Sequence, residues 1–483
     1  MNIVDFLFEN SSNFEKDLIL GTKESESFKS VFEKSSKLAM YLRNKLGEDK
    51  NILLIASNSI FFIIAYLGIL KSGNICIPLN PGIEQEGFEF IKGKTKSSTG
   101  FCSEAIIHRL NPSVDYITEN MLSDIVIAEN KMLESESEFN GDHVAEIIFT
   151  SGSTAIPKGV MLSHNNIIAN TDSIVQYLRL SEKDIMMVVL PFFYCYGLSL
   201  LHTHIRVGGS LVLNNNFIFL GSTVNDLKQY NCSGFAGVPS HFQILLRKSD
   251  QFKNTKFPAL RYVTQAGDKL HNAFIREFTE NFPEIQFFVM YGQTEATSRL
   301  SYLPPTMLKE KLGSLGRGIP GVELKVVDDH GRSISPYDTG EILARGKNIM
   351  IGYFEDQEST NNTIKDGWLY TGDLATIDED GYIFINGRKK EIIKICGKRI
   401  SPKEIEEVIV TMPGVIDCIV EVIDDEHIGE AIKATIVIND RMRKITVEEL
   451  KQYCSTKLSG YKIPKYVVFK ESMKLNLSGK KIK

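Results

Sequence analysis

The chain has 483 residues, 43% of them apolar and 24% charged, so two or three buried cores are expected rather than one. A net charge of -5 excludes the basic surface that binding to a nucleic-acid backbone requires. Seven cysteines, an odd number with no C-x-x-C pair, argue against a disulfide framework or zinc ribbon and for a reducing, cytoplasmic setting.

The start, Met1-Asn-Ile-Val-Asp-Phe6, carries an early acid and no basic residue, so no secretory leader is expected. Phe28 to Leu46 has helical apolar spacing, and Asn51 to Ala56 is a short buried strand. The most apolar run, Ile60 to Leu70, is well short of the roughly 20 residues that span a bilayer and predicts a buried helix. It ends at Lys71-Ser-Gly73, before a strand over Ile75 to Leu79. This β-α-β order predicts a parallel, helix-covered sheet. Gly93-Lys94-Thr95 is a false Walker site, because Phe88 stands where its first glycine belongs. From about Thr95 to Gly141 the sequence is polar and no site is read.

Ile147 to Val160 begins as a β-branched strand and breaks into small hydroxyl residues and glycines: Thr150, Ser151, Gly152, Ser153 and Thr154, then Pro157, Lys158 and Gly159. Freed N–H groups, hydroxyls and one lysine suit a loop that wraps a phosphate. It is not a Walker loop, since Pro157 replaces the second glycine and Gly159 the following hydroxyl. Ser163 to Asn166 caps a helix. The strand Met186 to Pro191 then delivers the aromatic run Phe192-Phe-Tyr-Cys-Tyr-Gly-Leu198. His202 and His204 alternate on a predicted strand or short loop; with no third ligand in sight they are read as packed or solvated histidines, not a metal site.

Phe235 to Ser240 and Tyr262 to Asp268 are strand-to-loop turns of small residues. In Tyr291-Gly-Gln-Thr-Glu-Ala296, one short loop holds an aromatic face, a hydroxyl and a carboxylate, the groups needed beside an adenine, an α-phosphate and Mg²⁺. Gly316-Arg-Gly-Ile-Pro-Gly321 fits G-x-G-x-x-G but precedes a strand rather than opening a helix, so a dinucleotide fingerprint is rejected. Short strands and turns from Val322 to Arg388 predict a β-rich subdomain. Within it, Asp373 follows Thr-Gly, placed to accept two hydrogen bonds from a ribose diol. The remainder, with a helix opened by Ser401-Pro402, strands near Val415 to Val422 and Ala431 to Ile438, and a helix over Val447 to Leu458, reads as a compact α+β unit.

Taken together, T-S-G-S-T-x-x-P-K-G-V, the aromatic run at Phe192, Y-G-Q-T-E, the T-G-D at Asp373, Arg388 and the terminal S-G-K resemble, in order, the motifs of the acyl-adenylate-forming superfamily, most closely its acyl-CoA synthetases. The resemblance runs from about Asn51 to Lys480. It implies an α/β and α+β fold: a large N-terminal domain of helix-covered sheets with a β-rich subdomain, residues 1–388, and a small mobile C-terminal domain, 389–483, hinged near Lys390. It further implies that Thr150 to Thr154 and Lys158 hold the ATP phosphates, Glu295 holds Mg²⁺, and Gln265, Ala266, Gly267, Tyr291, Gly292 and Thr294 surround AMP. Asp373 and Arg388 would take the ribose, and Lys480 would bridge the acid and the α-phosphate. After rotation, Lys394 and Gly397 would face the thiol. Tyr194, Phe235 and Gly237 would line the acyl pocket, with Tyr194 where a histidine is common. The expected reaction joins a carboxylic acid to ATP and then to coenzyme A. A carrier-protein phosphopantetheine as acceptor, or a nucleotide-binding regulator without catalysis, stays open at this point, as do the acid and the oligomeric state.

Overall fold

The computed structural model describes residues 1–21, 25–109, 114–150, 157–389, 393–395, 398–425, 429–439 and 445–473. Two large sheets dominate. The first has nine strands, running in order from Arg317–Gly318 at one edge through Ser301–Leu303, Gln286–Tyr291, Tyr262–Gln265, Gly234–Gly237, Ile185–Val188 and Ser210–Leu213 to Asp17–Leu20 and Glu26–Ser27. Its middle is parallel, as the alternation of strand and helix demands. The second has seven strands, ordered Gly352–Tyr353, Lys158–Ser163, Val144–Thr150, Ile75–Leu79, Asn51–Ile55, Thr99–Cys102 and Asp115–Ile117.

Helix Phe28–Leu46 has the bounds its periodicity predicts, and Ser27 caps it by accepting from the N–H of Ser30. Helix Ile60–Lys71 is buried on every side from Phe61 onward, which explains its lack of a polar face. Helix His164–Leu178 opens with a reciprocal capping box between Ser163 and Asn166. One expectation is corrected here. His202 and His204 lie on helix Cys195–Val207, not on a strand or loop, and residues two apart on a helix face different ways. His202 Nε2 meets the Tyr66 hydroxyl at 2.8 Å, whereas His204 Nδ1 meets the Leu200 carbonyl at 2.9 Å. The packed reading of both therefore holds. The stretch after Thr95, from which nothing was read, contains two strands of the second sheet and helix Glu119–Ala128. Gly93 to Thr95 close helix Gln85–Thr95, so no Walker loop forms there.

The β-rich subdomain is a third, antiparallel sheet of Val322–Val327, Thr339–Gly346, Trp368–Ile377 and Ile364–Lys365, with Ile383–Arg388 paired to Trp368–Ile377. Arg317–Gly318 and Val322–Val327 are both strands, and no helix follows the Gly316 to Gly321 turn. The C-terminal unit packs helices Pro402–Ile409 and Val447–Ser455 with a sheet of Val415–Asp425, Gly429–Ile438 and Tyr466–Lys470; this last strand was not foreseen. Polar contacts join it to the rim of the nine-stranded sheet: Lys403 Nζ to Asp268 at 3.0 Å, Lys269 Nζ to Glu407 at 2.7 Å, and Gln243 Nε2 to Asp417 at 3.3 Å.

Candidate active site

Val144–Thr150 and Lys158–Ser163 pair antiparallel, with Thr150 opposite Lys158. The strands before and after the glycine- and hydroxyl-rich segment are thus antiparallel neighbours, unlike the strand-to-helix setting of a Walker loop. Ser151, Gly152, Ser153 and Thr154 lie outside the described residues. Gly159 faces Phe149 across the pair, and a Cβ there would stand 2.8 Å from Ile147 and 3.1 Å from the Phe149 ring. The neighbouring strand Gly352–Tyr353 and the helix Gln357–Thr363 that follows it bring in two groups without a sequence signal, Tyr353 and Ser359. The Lys158 ammonium sits 4.9 Å above the Tyr353 ring and donates to the Ser359 hydroxyl at 2.6 Å. The Tyr353 hydroxyl in turn donates to Glu295 Oε1 at 2.8 Å.

Glu295 belongs to a 3₁₀ turn, Thr294–Ala296, directly after strand Gln286–Tyr291. Three features fix this turn. A Cβ on Gly292 would fall 1.9 Å from the Ser298 carbonyl, so only glycine fits. Thr297 has φ +63°, and the Ser298 N–H reaches back to the Ala296 carbonyl at 2.6 Å, a γ-turn that a β-branched residue adopts only when held. Asn348 helps hold it: its carbonyl accepts from the Thr297 hydroxyl at 2.7 Å, and its amide donates to the Ala296 and Arg299 carbonyls.

The same strand places Tyr291, whose buried hydroxyl donates to Asp373 Oδ2 at 2.6 Å. Arg388 Nε reaches Asp373 Oδ1 at 3.1 Å from the paired position on the next strand. Asp373 is 2% exposed. Burial, then the adjacent Asp373 charge, pushes the Tyr291 phenol well above its ordinary range, so it is a hydrogen-bond donor at neutral pH. Gln265, at the end of strand Tyr262–Gln265, is buried and donates to the Asp268 carbonyl at 2.7 Å; Ala266 donates to the Gly237 carbonyl at 3.4 Å; Gly267 has φ +96°. The Lys403 to Asp268 pair is therefore anchored beside this loop.

Tyr194 is half-buried just before helix Cys195–Val207, its ring 4.6 Å from that of Phe193. Cys195 Sγ is 3.6 Å from the Thr294 hydroxyl, so the aromatic run does reach the Tyr291 to Ala296 loop. Phe235 does not. It packs on Phe242 behind the sheet, with Met187 and Val263, whereas its neighbour Ala236 points to the opposite face. Gly237 ends that strand beside His241 and Phe242. Lys394 lies on strand Ile393–Ile395, opposite Arg399; Lys390, Gly397 and Lys480 lie outside the described residues.

One short turn thus links the buried Tyr291 and Asp373, with the exposed Arg388 against them, to the half-exposed Lys158 and Glu295, which meet at the buried Tyr353. Residues 8–354 match the AMP-binding enzyme family and residues 404–480 its C-terminal domain, so the chain belongs to the AMP-binding enzymes. It is 29% identical to an oxalate–CoA ligase of Arabidopsis thaliana, covering 89% of this chain and 86% of that protein. A medium-chain fatty-acid–CoA ligase of Escherichia coli is 30% identical, over 87% of this chain and 77% of its own length. The fold superposes on the anthranilate CoA ligase AuaEII in complex with anthranoyl-AMP with a TM-score of 0.91 at 22% identity, covering 100% and 95% of the two chains.

Proposed function

We propose that the protein is an ATP-dependent acid–thiol ligase that converts a carboxylic acid to acyl-AMP with release of pyrophosphate, then transfers the acyl group to coenzyme A. The observation that carries this is the shared turn: Tyr291 engages Asp373 while Glu295, four residues on, is linked to Lys158 through Tyr353. A nucleotide spanning that turn has its ribose at Asp373 and Arg388 and its phosphates toward Lys158. The acid supplies its own nucleophile, so the chain needs to align two anions and neutralise them rather than provide a catalytic triad.

Mg²⁺ fits the donor set. Among the described residues no three His, Cys, Asp or Glu side chains gather as a metal cage, and Mg²⁺ commonly uses one or two carboxylates with water and substrate phosphates. Glu295, half-exposed and with no hydrogen-bond partner on Oε2 among the described residues, is the residue that would hold it; the ion would neutralise phosphate charge. Residues 1–388 form the adenylating domain and 389–483 the mobile one, turning near Lys390. Lys480 serves the first half-reaction, and the face of Lys394 and Gly397 serves the second. The names of the relatives support coenzyme A as acceptor. Six described cysteines are free thiols, which suits a reducing cytoplasm, and no described helix is long and apolar enough to cross a membrane.

The test is pyrophosphate release from ATP with a panel of acids, followed by addition of coenzyme A. AMP and a thioester are expected, and Lys480→Ala should slow acyl-AMP formation far more than transfer from preformed acyl-AMP. Release of ADP, or equal loss in both half-reactions, would overturn the corresponding assignment.

A further inference from the structure

Two lysine or arginine side chains are buried among the described residues, Lys71 and Arg299. Lys71 has its counter-ion, Asp5, at 2.5 Å. Arg299, 3% exposed, has no carboxylate within ion-pair distance among the described residues. Its guanidinium donates to the Ser298 carbonyl at 3.3 Å and hydroxyl at 2.8 Å and to Met290 Sδ at 3.3 Å, and lies 4.0 Å from the centre of the Tyr196 ring. All of these partners are neutral. The two acids of the site are engaged elsewhere, Glu295 by Tyr353 and Asp373 by Tyr291 and Arg388. Its main chain is pinned at this buried place, the carbonyl accepting from the Asn170 and Asn348 amides at 3.2 and 2.8 Å. A fixed, buried cation without a counter-ion is costly, and the cost is recovered when an anion arrives.

Its position says which anion. Cys195 stands 3.6 Å from the Thr294 hydroxyl, and the next residue, Tyr196, carries the ring against which Arg299 lies. The first turn of helix Cys195–Val207 thus touches Thr294 through Cys195 and Arg299 through Tyr196, and for an acid activated beside Thr294 it leads toward Arg299. We propose that Arg299 is a specificity-determining residue that selects acids bearing a second carboxylate at their far end, which it receives as a two-pronged partner. This rests on the ligase reading above and names the substrate class for it.

The experiment is ATP–pyrophosphate exchange by the full chain on acids matched in length, such as succinate against butyrate, glutarate against valerate, and terephthalate against 4-methylbenzoate. The diacid of at least one pair should be favoured on the order of 100-fold in kcat/KM, as expected for a charge-assisted hydrogen-bonded pair. Arg299→Met, which retains bulk against Tyr196, should abolish that ratio, and Arg299→Lys should keep part of it. A merely structural role would lower both acids of a pair together. Should the Met variant fail to fold, the wild-type ratios and the Lys variant still decide. Monoacids used as well as their diacid partners by the wild type, or a diacid preference that survives Arg299→Met, would overturn the proposal while leaving the ligase reading intact. Exchange with no acid at all would overturn both.

Discussion

The two ends of the candidate site are built differently. At the nucleoside end, Asp373 is buried and tied twice, by Tyr291 from the nine-stranded sheet and by Arg388 from the subdomain sheet. At the phosphate end, Lys158 and Glu295 are half-exposed, and each rests on a neutral hydroxyl, that of Ser359 or Tyr353. A neutral partner is readily exchanged for a phosphate or a cation; a buried carboxylate held by both a tyrosine hydroxyl and a guanidinium is not. On the proposed reading, the nucleoside end is a fixed seat, and the phosphate end holds charges that a ligand can take over.

If the nucleoside end is fixed, removing its carboxylate should do the most damage. Asp373→Ala leaves the buried Tyr291 hydroxyl without its acceptor and strips Arg388 of its buried partner. Arg388 is exposed and can be solvated, so the main loss is the hydrogen bonding to a buried charged group, about 1.5 to 3 kcal/mol. ATP affinity should fall at least ~100-fold, and the melting temperature should drop as well, measured by equilibrium binding and thermal unfolding. Retained stability with lost affinity would mean that Asp373 is not part of the frame and would dissolve the contrast between the two ends.

Acid should undermine the phosphate end through its footing. Strand Val144–Thr150 carries Glu146, which accepts from Tyr66 at 2.8 Å, and the same hydroxyl meets His202. Burial lowers His202 and His164 to about 3 and His204 and His241 to about 4. The unfolded chain therefore binds protons below about pH 6.5 that the fold refuses, and stability falls as pH drops, by roughly 1.4 kcal/mol per pH unit for each histidine. Glu146, raised by burial to about 7, acts in the opposite sense between about 4.5 and 7, but it is one group against four. Thermal unfolding should show a clear loss from pH 7 to pH 5. A stability that rose over that range would show that Glu146 outweighs the histidines.

How much of this was legible depended on distance along the chain. The Tyr291 loop, Asp373, Arg388 and Lys158 could be named as candidates because the needed chemistry is packed into short segments. Tyr353, Ser359 and Asn348 were not found, since only the pairing of Gly352–Tyr353 with Val160 and Met161 brings them near. Phe235 was misplaced because alternation tells which residues share a face but not which face looks into the site. The H-x-H pair read as a strand because helix Cys195–Val207 is buried on all sides from Tyr196 to Ile205, leaving no polar face to reveal its period. Helix Glu119–Ala128 escaped for the opposite reason: Met121 and Ile127 are exposed, which blurs its apolar stripe. Arg299 did have a signal, a lone cation between Ser298 and Leu300 in an otherwise uncharged run.

Smaller changes should separate the two partners of the phosphate end. Tyr353→Phe keeps the ring beneath Lys158 but removes the hydroxyl that orients Glu295, a hydrogen bond to a charged group worth about 1.5 to 3 kcal/mol. Acyl-AMP formation should fall ~10-fold or more at limiting Mg²⁺ and recover at high Mg²⁺, Mg²⁺·ATP binding measured by calorimetry should weaken in parallel, and transfer from preformed acyl-AMP should be unchanged. Ser359→Ala should do least. The serine holds Lys158 at 2.6 Å only while no phosphate competes, so its loss removes a contact of the unliganded form. Nucleotide affinity should stay within about threefold of wild type, consistent with a net contribution of about 0.5 to 1.5 kcal/mol offset by the freed lysine. A tenfold fall would mean that Lys158 must be held at Ser359 to bind phosphate, and the phosphate end would then be as preset as the nucleoside end.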